Sequence, residues 1–340
     1  MRSVVLQDDR TLAVMEVPVS ALASGYIRVR VSYCGICGSD LHMRSAETVP
    51  GGSPVGAVFG HEFVGAVEEV APDVSQWKVG DRVVAWPSGA CGDCAHCRSE
   101  RFRLCPSRMP NGIGMGKTPG ALAESIVIRA DRAFAIPDEL EDAHAALTEP
   151  LAVALRAVSI GSVQREDRVA VIGAGPVGLI TALALRAKGI ENIVLIEVNP
   201  KRAERAREFG FLTVGLDDVG AAVAEGLAGA PSVIMECAGH PSALPMAMEI
   251  AAPEAAIVVL GALVEPVSID TMLILGKELR ILGSLGHTPA IFADAIAMLA
   301  SRAVPADDLI TGRMVLEDAE RAFDELLDSD TDHIKILLHP

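Results

Sequence analysis

The chain has 340 residues, of which 50% are hydrophobic and 22% charged, and its formal net charge is −16 at pH 7. The apolar content indicates a globular protein rather than a disordered one, and the length suits two domains. The acidic balance and an aromatic content of only 4% argue against a nucleic-acid partner, because phosphate contacts need clustered Lys and Arg.

The amino-terminal segment gives no export signal, because Asp8, Asp9 and Arg10 interrupt any apolar run. The longest uncharged apolar stretch, residues 169–185, is near the lower length limit for a membrane span and contains three glycines and a proline. A strand, a glycine turn and a helix explain this stretch better. We therefore expect a cytoplasmic protein with no membrane partner.

The first 150 residues contain short β-type runs separated by Gly and Pro clusters. Residues 27–31 alternate between apolar and polar side chains, residues 64–70 have the composition of a strand, and residues 79–84 indicate a turn that leads into a strand. This part of the chain is predicted to form a β-rich domain.

A cysteine run follows, with the spacing C-x2-C-x2-C-x7-C at Cys91, Cys94, Cys97 and Cys105. Four thiolates within one short loop can surround a tetrahedral Zn²⁺ in a structural site. A disulfide pair is the alternative, and it is disfavoured because the chain shows no sign of export. The run therefore predicts a structural zinc.

From about residue 150 the pattern changes to strands that alternate with helices, which indicates a doubly wound parallel sheet with helices on both faces. The predicted strands are 168–172, 192–198, 232–236, 256–260 and 279–282, and the predicted helices are 150–158 and about 176–188, 201–209 and 241–250. The tail is expected to return to the first domain. Its predicted elements are helices at about 290–301 and 316–327 and a closing strand at 333–338.

A glycine motif, G-x-G-x-x-G, stands between the first strand of this pattern and the helix that follows. Gly173 permits the tight turn, Gly175 lets the backbone approach a pyrophosphate, and Gly178 lets helix and strand pack closely. The helix N-terminus, with Pro176 and Val177 in its first turn, offers N–H groups to the phosphate. The motif predicts dinucleotide binding, with an ordinary βαβ unit that binds no ligand as the alternative.

An acidic residue, Glu197, ends the next predicted strand, 19 positions after Gly178. Its carboxylate is expected to accept hydrogen bonds from the adenosine ribose hydroxyls and to repel a 2′-phosphate. The sequence therefore predicts NAD rather than NADP. Lys201 and Arg202 lie nearby and can weaken that preference, and we count Arg202 among the cofactor-binding residues.

A second set of metal-ligand side chains lies earlier in the chain. Cys37, His61 and Glu62 offer sulfur, nitrogen and oxygen donors, a mixed set that can hold Zn²⁺ and keep one position open for substrate. Glu149, at the predicted domain boundary, is a fourth candidate. Cys34 and Cys37 also form a C-x2-C pair, so a structural site or two buried thiols are the alternatives.

Together these motifs resemble those of zinc-dependent medium-chain alcohol dehydrogenases, over nearly the whole chain. The shared motifs are G-I-C-G-S-D-L-H at 35–42, G-H-E-F-V-G at 60–65, the cysteine run, E-P-L at 149–151 and the glycine motif. The G-H-E and E-P-L forms are most similar to the polyol, threonine and 2,3-butanediol dehydrogenase branch.

The resemblance implies an α/β chain with two domains. A GroES-like β-rich catalytic domain would occupy residues 1–150 and be completed by about 286–340. A Rossmann doubly wound parallel sheet, which binds the nucleotide, would occupy residues 151–285. Two zinc ions per chain are implied, one catalytic and one held by the four cysteines.

The resemblance makes Cys37 and His61 the firmest ligands of the catalytic zinc and Glu62 its third ligand. Glu149 stands where related enzymes have a cysteine ligand, and it is expected to bind directly or through water. Cys37, Glu62 and Glu149 would bring three negative charges to a +2 ion beside a neutral His61, and an overcharged zinc is a poor Lewis acid. We therefore predict that one glutamate leaves, or stays at water distance, when the alkoxide binds.

Three further residues are expected to support the chemistry around this zinc. Ser39 is placed to take the hydroxyl proton, His42 to pass it toward solvent, and Asp40 to fix the tautomer of His61.

The implied reaction is reversible hydride transfer between NAD and a secondary alcohol (a diol, a polyol or a cyclic alcohol), with the ketone as product. The implied assembly is a homodimer or homotetramer. A non-catalytic NAD-binding or sensing protein of the same superfamily is the alternative. The chain departs from the branch at Trp86-Pro87, near the expected substrate pocket, and at 119–124, and both departures leave the substrate open.

Overall fold

The computed structural model describes residues 1–45, 55–115, 117–262 and 265–340. Contacts divide the chain into two compact units, Met1–Glu149 with Thr288–Pro340, and Pro150–His287. The first unit is therefore discontinuous in sequence, and the second is inserted into it. None of the described helices is long and apolar enough to cross a bilayer.

The first unit begins with short strands and short helices, and the three predicted β runs overlap its third, fourth and fifth strands. Its strands up to residue 149 are β1 (Arg2–Leu6), β2 (Leu12–Glu16), β3 (Tyr26–Gly35), β4 (Glu62–Val70), β5 (Arg82–Ala85), β6 (Ser125–Arg129) and β7 (Ala133–Ala135). The helices in this segment are α1 (Gly38–Arg44), α2 (Ala95–Arg98) and α3 (Asp142–Ala145), with 3₁₀ turns at Phe102–Leu104 and Ala130–Arg132.

Strands and helices alternate through the second unit, as the sequence pattern predicted. The strands are β8 (Val169–Ile172), β9 (Ile193–Ile196), β10 (Leu212–Val214), β11 (Val233–Glu236), β12 (Ala256–Val259) and β13 (Arg280–Gly283). The helices are α4 (Thr148–Gly161), which begins just before the unit, α5 (Pro176–Ala187), α6 (Pro200–Glu208), α7 (Val219–Gly226), α8 (Ala243–Ile250) and α9 (Thr271–Lys277).

All six strands of this unit pair in parallel, in the order β10-β9-β8-β11-β12-β13. Relative to chain order this is 3-2-1-4-5-6, the arrangement of doubly wound nucleotide-binding sheets, which confirms the predicted fold class. The central strands β8, β9 and β11 are buried at every position, because helices cover both faces of a parallel sheet.

The tail completes the first unit. Its elements are α10 (Pro289–Ala300), α11 (Ala306–Leu309), β14 (Ile310–Val315), a 3₁₀ turn at Leu316–Asp318, α12 (Ala319–Leu327) and β15 (Lys335–His339). The seven-stranded sheet of this unit runs in the order β14-β15-β3-β4-β5-β7, and β6 pairs with β3. Helix α12 stacks Phe323 on Phe59 within the apolar core, so the tail is part of the unit's interior.

Candidate active site and metal centres

The sheet register of the first unit brings three segments of the chain to one point. Strand β3 runs antiparallel to β4 with Gly35 opposite Glu62, and β15 runs antiparallel to β3 with Leu337 opposite Gly35. Cys37 follows the end of β3 and is the N-cap of α1, and His61 immediately precedes β4. The end of β3 and the beginnings of β4 and β15 therefore share one location.

Cys37, His61 and Glu62 form a candidate metal site at this location. Their ligand atoms all lie within 4.8 Å of one another, and His61 and Glu62 are buried. The spacing and the mixed donors fit a Zn²⁺ bound by three protein ligands, with a further position for substrate. Glu149 is buried and its charge acts on Glu62, but it is not part of the three-residue cluster. Its coordination therefore remains a prediction.

Asp40 supports the cluster from α1, where it is fully buried. Its Oδ2 atom accepts a hydrogen bond from the Cys37 N–H at 2.9 Å, and its Oδ1 atom accepts one from the Gly60 N–H at 3.4 Å. The same Oδ1 atom lies 3.6 Å from Nδ1 of His61, beyond hydrogen-bond distance but within ion-pair range. Burial lowers the pKa of His61, yet the charges of Asp40 and Cys37 raise it well above its ordinary value. Control of the His61 tautomer by Asp40 stays a prediction.

Lys335 is a charged residue of this site that sequence reasoning missed. Its Nζ atom donates to both carboxylate oxygens of Glu62, at 3.0 and 2.7 Å, and to the carbonyl oxygen of Ile36 at 2.9 Å. The two charged side chains are only 7% and 1% exposed. Burial lowers the pKa of Lys335, but the Glu62 charge raises it above its ordinary value, so the ammonium stays charged. This positive charge offsets the excess negative charge that the sequence predicted for the zinc site.

The ion pair depends on the absence of a side chain at Gly35. A Cβ atom there would collide with Oε2 of Glu62 and would lie 3.4 Å from Cδ of Lys335. Burial raises the pKa of Glu62, and the Lys335 ammonium lowers it, which offsets part of the burial effect. The sequence held a weak signal for the pair, because Lys335 directly precedes the apolar run I-L-L of its strand, and a buried lysine needs a partner.

The two residues predicted to move the proton both lie on α1. Ser39 and His42 are three positions apart and therefore share one face of the helix. The hydroxyl oxygen of Ser39 is buried and has no hydrogen-bond partner among the described residues, whereas His42 is exposed. A buried hydroxyl two residues after Cys37 and an exposed imidazole one turn later are suited to transfer from the cluster to solvent.

Cys91, Cys94, Cys97 and Cys105 form the second candidate metal centre, with all four sulfur atoms within 4.8 Å of one another. The Cys91 sulfur lies 3.6 Å from that of Cys105 and 3.9 Å from that of Cys97. Tetrahedral Zn–S bonds of about 2.3 Å place sulfur atoms about 3.8 Å apart, so this spacing fits a four-thiolate zinc. Burial raises the pKa of Cys105, but the N–H groups of Cys91 and Ser107 bring it down to about 6. All seven cysteines lie in the described ranges as free thiols, which disfavours the disulfide alternative.

Trp86 lies at the base of the cysteine lobe, the segment from residue 91 to residue 105. Its side chain is buried, its ring packs edge-on to Phe102 with centroids 5.3 Å apart, and the Arg132 guanidinium carbon lies 4.6 Å from the ring centroid. We expected the departure from the branch at Trp86-Pro87 to bear on the substrate pocket. The structure gives Trp86 packing contacts with the lobe, and a bearing of this departure on the substrate stays a prediction.

The glycine motif of the second unit forms the turn between β8 and α5. Gly173 adopts φ +93°, and a Cβ atom at Gly178 would collide with the carbonyl oxygen of Gly173. Gly175 is the N-cap of α5, Pro176 is the first helical residue, and Val177 follows it with 37% of its surface exposed. The turn therefore presents the N-terminal end of a 12-residue helix, which is suited to bind a phosphate group.

Glu197 folds back onto this glycine turn. Its Oε2 atom accepts a hydrogen bond from the Ala174 N–H at 2.7 Å. Its Oε1 atom accepts hydrogen bonds from the N–H groups of Val198 and Asn199, at 2.8 Å each. Because each carboxylate oxygen can accept two hydrogen bonds, Oε2 keeps one place for a ribose hydroxyl. Nη1 of Arg202 lies 3.9 Å from where a Cβ on Gly175 would be, so this guanidinium also borders the turn.

Comparison with known proteins connects these features to one family. Residues 23–138 match the model for the alcohol dehydrogenase GroES-like domain, and residues 176–301 match that for zinc-binding dehydrogenases. The chain is 32% identical over 329 residues to (R,R)-butanediol dehydrogenase of Bacillus subtilis (strain 168), with 93% of each chain covered.

Two solved structures extend the likeness over the full length. One is a protein named short chain alcohol dehydrogenase from Escherichia coli CFT073, in complex with NADH, at 29% identity and TM-score 0.91. The other is reported as a zinc-binding dehydrogenase from Sinorhizobium meliloti 1021, bound to NADP, at 30% identity and TM-score 0.91. Both comparisons cover 100% of this chain and 99% of the other.

A nucleotide-binding sheet joined to a β-rich unit with two metal-ligand clusters defines a metal-containing dehydrogenase. This chain belongs to the zinc-dependent medium-chain alcohol dehydrogenase superfamily, in the branch that contains butanediol and polyol dehydrogenases. The resemblance predicted from the sequence motifs is confirmed.

Proposed function

We propose that the protein is a zinc-dependent, NAD(H)-linked dehydrogenase that interconverts a secondary alcohol and its ketone by hydride transfer. The observation that carries this proposal is the cluster of Cys37, His61 and Glu62, with three different donor atoms within 4.8 Å of one another. A four-sulfur site is closed, whereas three mixed ligands keep a position for substrate. The similarity to butanediol dehydrogenase supports a diol, a polyol or a related secondary alcohol as substrate.

When bound, zinc would supply the Lewis acidity that lowers the pKa of the substrate hydroxyl, as it lowers that of water from about 15.7 to about 7, and NAD⁺ would accept the hydride. The protein's own side chains then have to remove the proton. The buried Ser39 hydroxyl accepts this proton as it gives up its own, and the exposed His42, one helical turn further along α1, receives the released proton and passes it to solvent. Asp40, 3.6 Å from Nδ1 of His61, orients the imidazole as a ligand.

Lys335 bears on how strongly the metal can act as a Lewis acid. Because its ammonium donates to both oxygens of Glu62, it competes with a metal ion for the charge of that carboxylate. A carboxylate held by an ammonium gives less negative charge to zinc than one without a partner. Lys335 therefore offsets part of the excess negative charge that the ligand count predicted for the zinc. The predicted departure of one glutamate from the zinc, when the alkoxide binds, becomes an additional step rather than a requirement.

We also propose NAD rather than NADP as the working cofactor. The support is Glu197, which borders the glycine turn with one acceptor position left for a ribose hydroxyl and a charge that opposes a 2′-phosphate. Arg202 has the opposite effect, because its positive charge can attract the 2′-phosphate of NADP. Since one structural relative was solved with NADH and another with NADP, both cofactors belong in the assay.

The proposal includes a homodimer or homotetramer in the cytoplasm. Strand β13 ends the order of the parallel sheet, so its outer edge offers backbone hydrogen bonds to another strand. Nearby on α9, Met272 and Leu275 are 64% and 70% exposed, which is unusual for large apolar side chains unless another surface covers them. Seven free thiols suit the reducing conditions of the cytoplasm.

The test is an NAD-linked screen of secondary alcohols, diols and polyols, and of their ketones with NADH, alongside a measurement of zinc per chain. We expect turnover with at least one member of the panel and two zinc ions per chain. The Cys37→Ser variant should keep the zinc of the cysteine lobe and lose turnover. A zinc-loaded protein that binds NADH but converts nothing in the panel would support the non-catalytic alternative.

A further inference from the structure

Arg132 carries a buried guanidinium that the described polypeptide satisfies only in part. Its side chain is 7% exposed. Its Nη2 atom donates a hydrogen bond to the carbonyl oxygen of Ala90, the residue before the first cysteine of the lobe. Its Nε and Nη1 atoms have no hydrogen-bond partner among the described residues. A buried cation with two unused donors is costly, and an anion nearby would offset that cost.

Among the described residues, Asp131 is the one carboxylate within ion-pair distance of Arg132, and its Oδ1 atom already accepts a hydrogen bond from Nε of Arg129 at 3.0 Å. That Oδ1 atom lies 3.5 Å from Nε of Arg132 without forming a hydrogen bond, and it belongs to a side chain that is 55% exposed. The Trp86 ring, 4.6 Å from the guanidinium carbon, offers a cation–π contact, which is weaker than a buried ion pair. Burial lowers the pKa of Arg132, as expected for a cation that lacks full compensation.

The cysteine lobe adjoins this guanidinium through Ala90, the residue before Cys91, and through the Trp86 ring, on which Phe102 of the lobe packs. Cys97 and Cys105 are the two buried cysteines of the lobe, and their charges act on Arg132 in the direction that favours its ionised form. A second arginine, Arg129, donates from Nη1 to the carbonyl oxygen of Cys91 at 3.4 Å, but its side chain is 40% exposed. Four thiolates around one Zn²⁺ carry a net charge of −2, from four negative charges and two positive ones. The lobe thus becomes strongly anionic when zinc is bound.

We propose that Arg132 is the counter-charge of the four-cysteine zinc centre, so that zinc binding and the burial of this guanidinium stabilise each other. The inference rests on the proposed zinc in the cysteine lobe and is independent of the hydride chemistry. It makes Arg132 a residue that sets how tightly the lobe holds its metal, through charge and through its hydrogen bond to Ala90.

The first test is the rate at which zinc leaves the purified holoenzyme when a chromogenic chelator is added. Loss of a group that supports metal ligands commonly costs 10- to 100-fold in metal affinity, so Arg132→Met should release one zinc per chain about 10- to 100-fold faster than the wild type. Arg132→Lys should recover part of the difference, because it restores the charge but not the planar donor geometry. Arg103→Met removes an exposed arginine of the same lobe and is the matched control, which should release zinc at close to the wild-type rate.

A second test separates the counter-charge role from simple packing on Trp86. Arg132→Met is compared with the wild type in the zinc-loaded protein and again in a Cys91→Ser/Cys94→Ser background, by thermal or denaturant unfolding. We expect the substitution to destabilise the zinc-loaded protein and to be neutral or stabilising in the double-serine background, where the cation has no thiolate zinc to face.

Equal destabilisation in both backgrounds, or an unchanged rate of zinc release, would overturn the inference and leave Arg132 with a packing role. If the double-serine variant holds as much zinc as the wild type, the lobe binds no zinc and the counter-charge role fails with it. The dehydrogenase proposal would be unaffected by that result, because it is judged by turnover and by the zinc that Cys37 binds.

Discussion

Replacing Lys335 with methionine should destabilise the protein chiefly when zinc is absent. In the wild type, Nζ of Lys335 contacts both oxygens of Glu62, and the two side chains are 7% and 1% exposed. Removing one partner of a buried pair leaves an uncompensated charge, at a cost of about 3–5 kcal/mol. A bound Zn²⁺ would face the same carboxylate and compensate it. Zinc should therefore stabilise Lys335→Met more than it stabilises the wild type.

The pH dependence of this effect has a definite sign. Burial raises the pKa of Glu62 above its usual 4.5, and Lys335 normally lowers it, so removal of Lys335 should raise it further. A carboxyl group whose folded pKa is raised contributes stability at low pH, and that contribution is lost as the pH rises through the folded pKa. The difference between Lys335→Met and the wild type should therefore be small near pH 4 and grow toward neutral pH.

The assay is denaturant unfolding of chelator-treated and zinc-loaded protein at several pH values, with Lys335→Arg as the control that keeps the positive charge. The arginine variant should stay close to the wild type in both conditions. Equal unfolding free energies for Lys335→Met and wild type without zinc would refute the reasoning. An equal loss of unfolding free energy in Lys335→Met with and without zinc would also refute it, because the metal and Lys335 would then not both compensate the charge of Glu62.

Three further substitutions test the other assignments. Ser39→Ala should lower kcat/KM by about 10²- to 10⁴-fold while zinc content and NADH binding stay unchanged, and normal turnover would remove Ser39 from the proton path. Glu149→Ala should lower turnover or zinc content, measured together on one preparation, and if neither changes then its predicted exchange role is wrong. Cys105→Ser should remove one zinc per chain and reduce thermal stability or assembly before it affects hydride transfer. A well-folded Cys105→Ser protein with selectively lost turnover would contradict the structural assignment of the cysteine lobe.

Much of the second unit could be predicted because its signals are local. The strand 169–172 is a continuous apolar run, and the glycine motif directly after it specifies a turn and a helix start. The elements that were missed lack such signals. Helix α9 has only seven residues, too few to show a helical period, and none of them is fully buried, and β10 has only three residues.

The two metal clusters differ in how well the sequence predicted them, because one has a local spacing signal and the other does not. The four cysteines lie within 15 consecutive residues, and their spacing alone indicates a shared ion. Cys37 and His61 lie in two separate loops, so the residue types alone only suggested a mixed-ligand site, and the resemblance to a known family made Cys37 and His61 the firmest ligands. Lys335 is 273 positions from Glu62, and only the pairing of β15 with β3 brings the two together. The charge balance of the site therefore could not be read from the motifs.

The same pairing bears on the order in which the protein is built during translation. Residues 150–287 form a continuous unit that is complete before β15 leaves the ribosome, whereas the first unit must wait for a strand that lies between β14 and β3. Domains generally fold as units as they emerge. We expect the nucleotide-binding unit to mature first, while Glu62 stays exposed to solvent or without its cation until residue 335 arrives. The metal site is thus the last part of the molecule to reach its final charge state, and a nascent chain that stops short of β15 should be a poor acceptor of catalytic zinc.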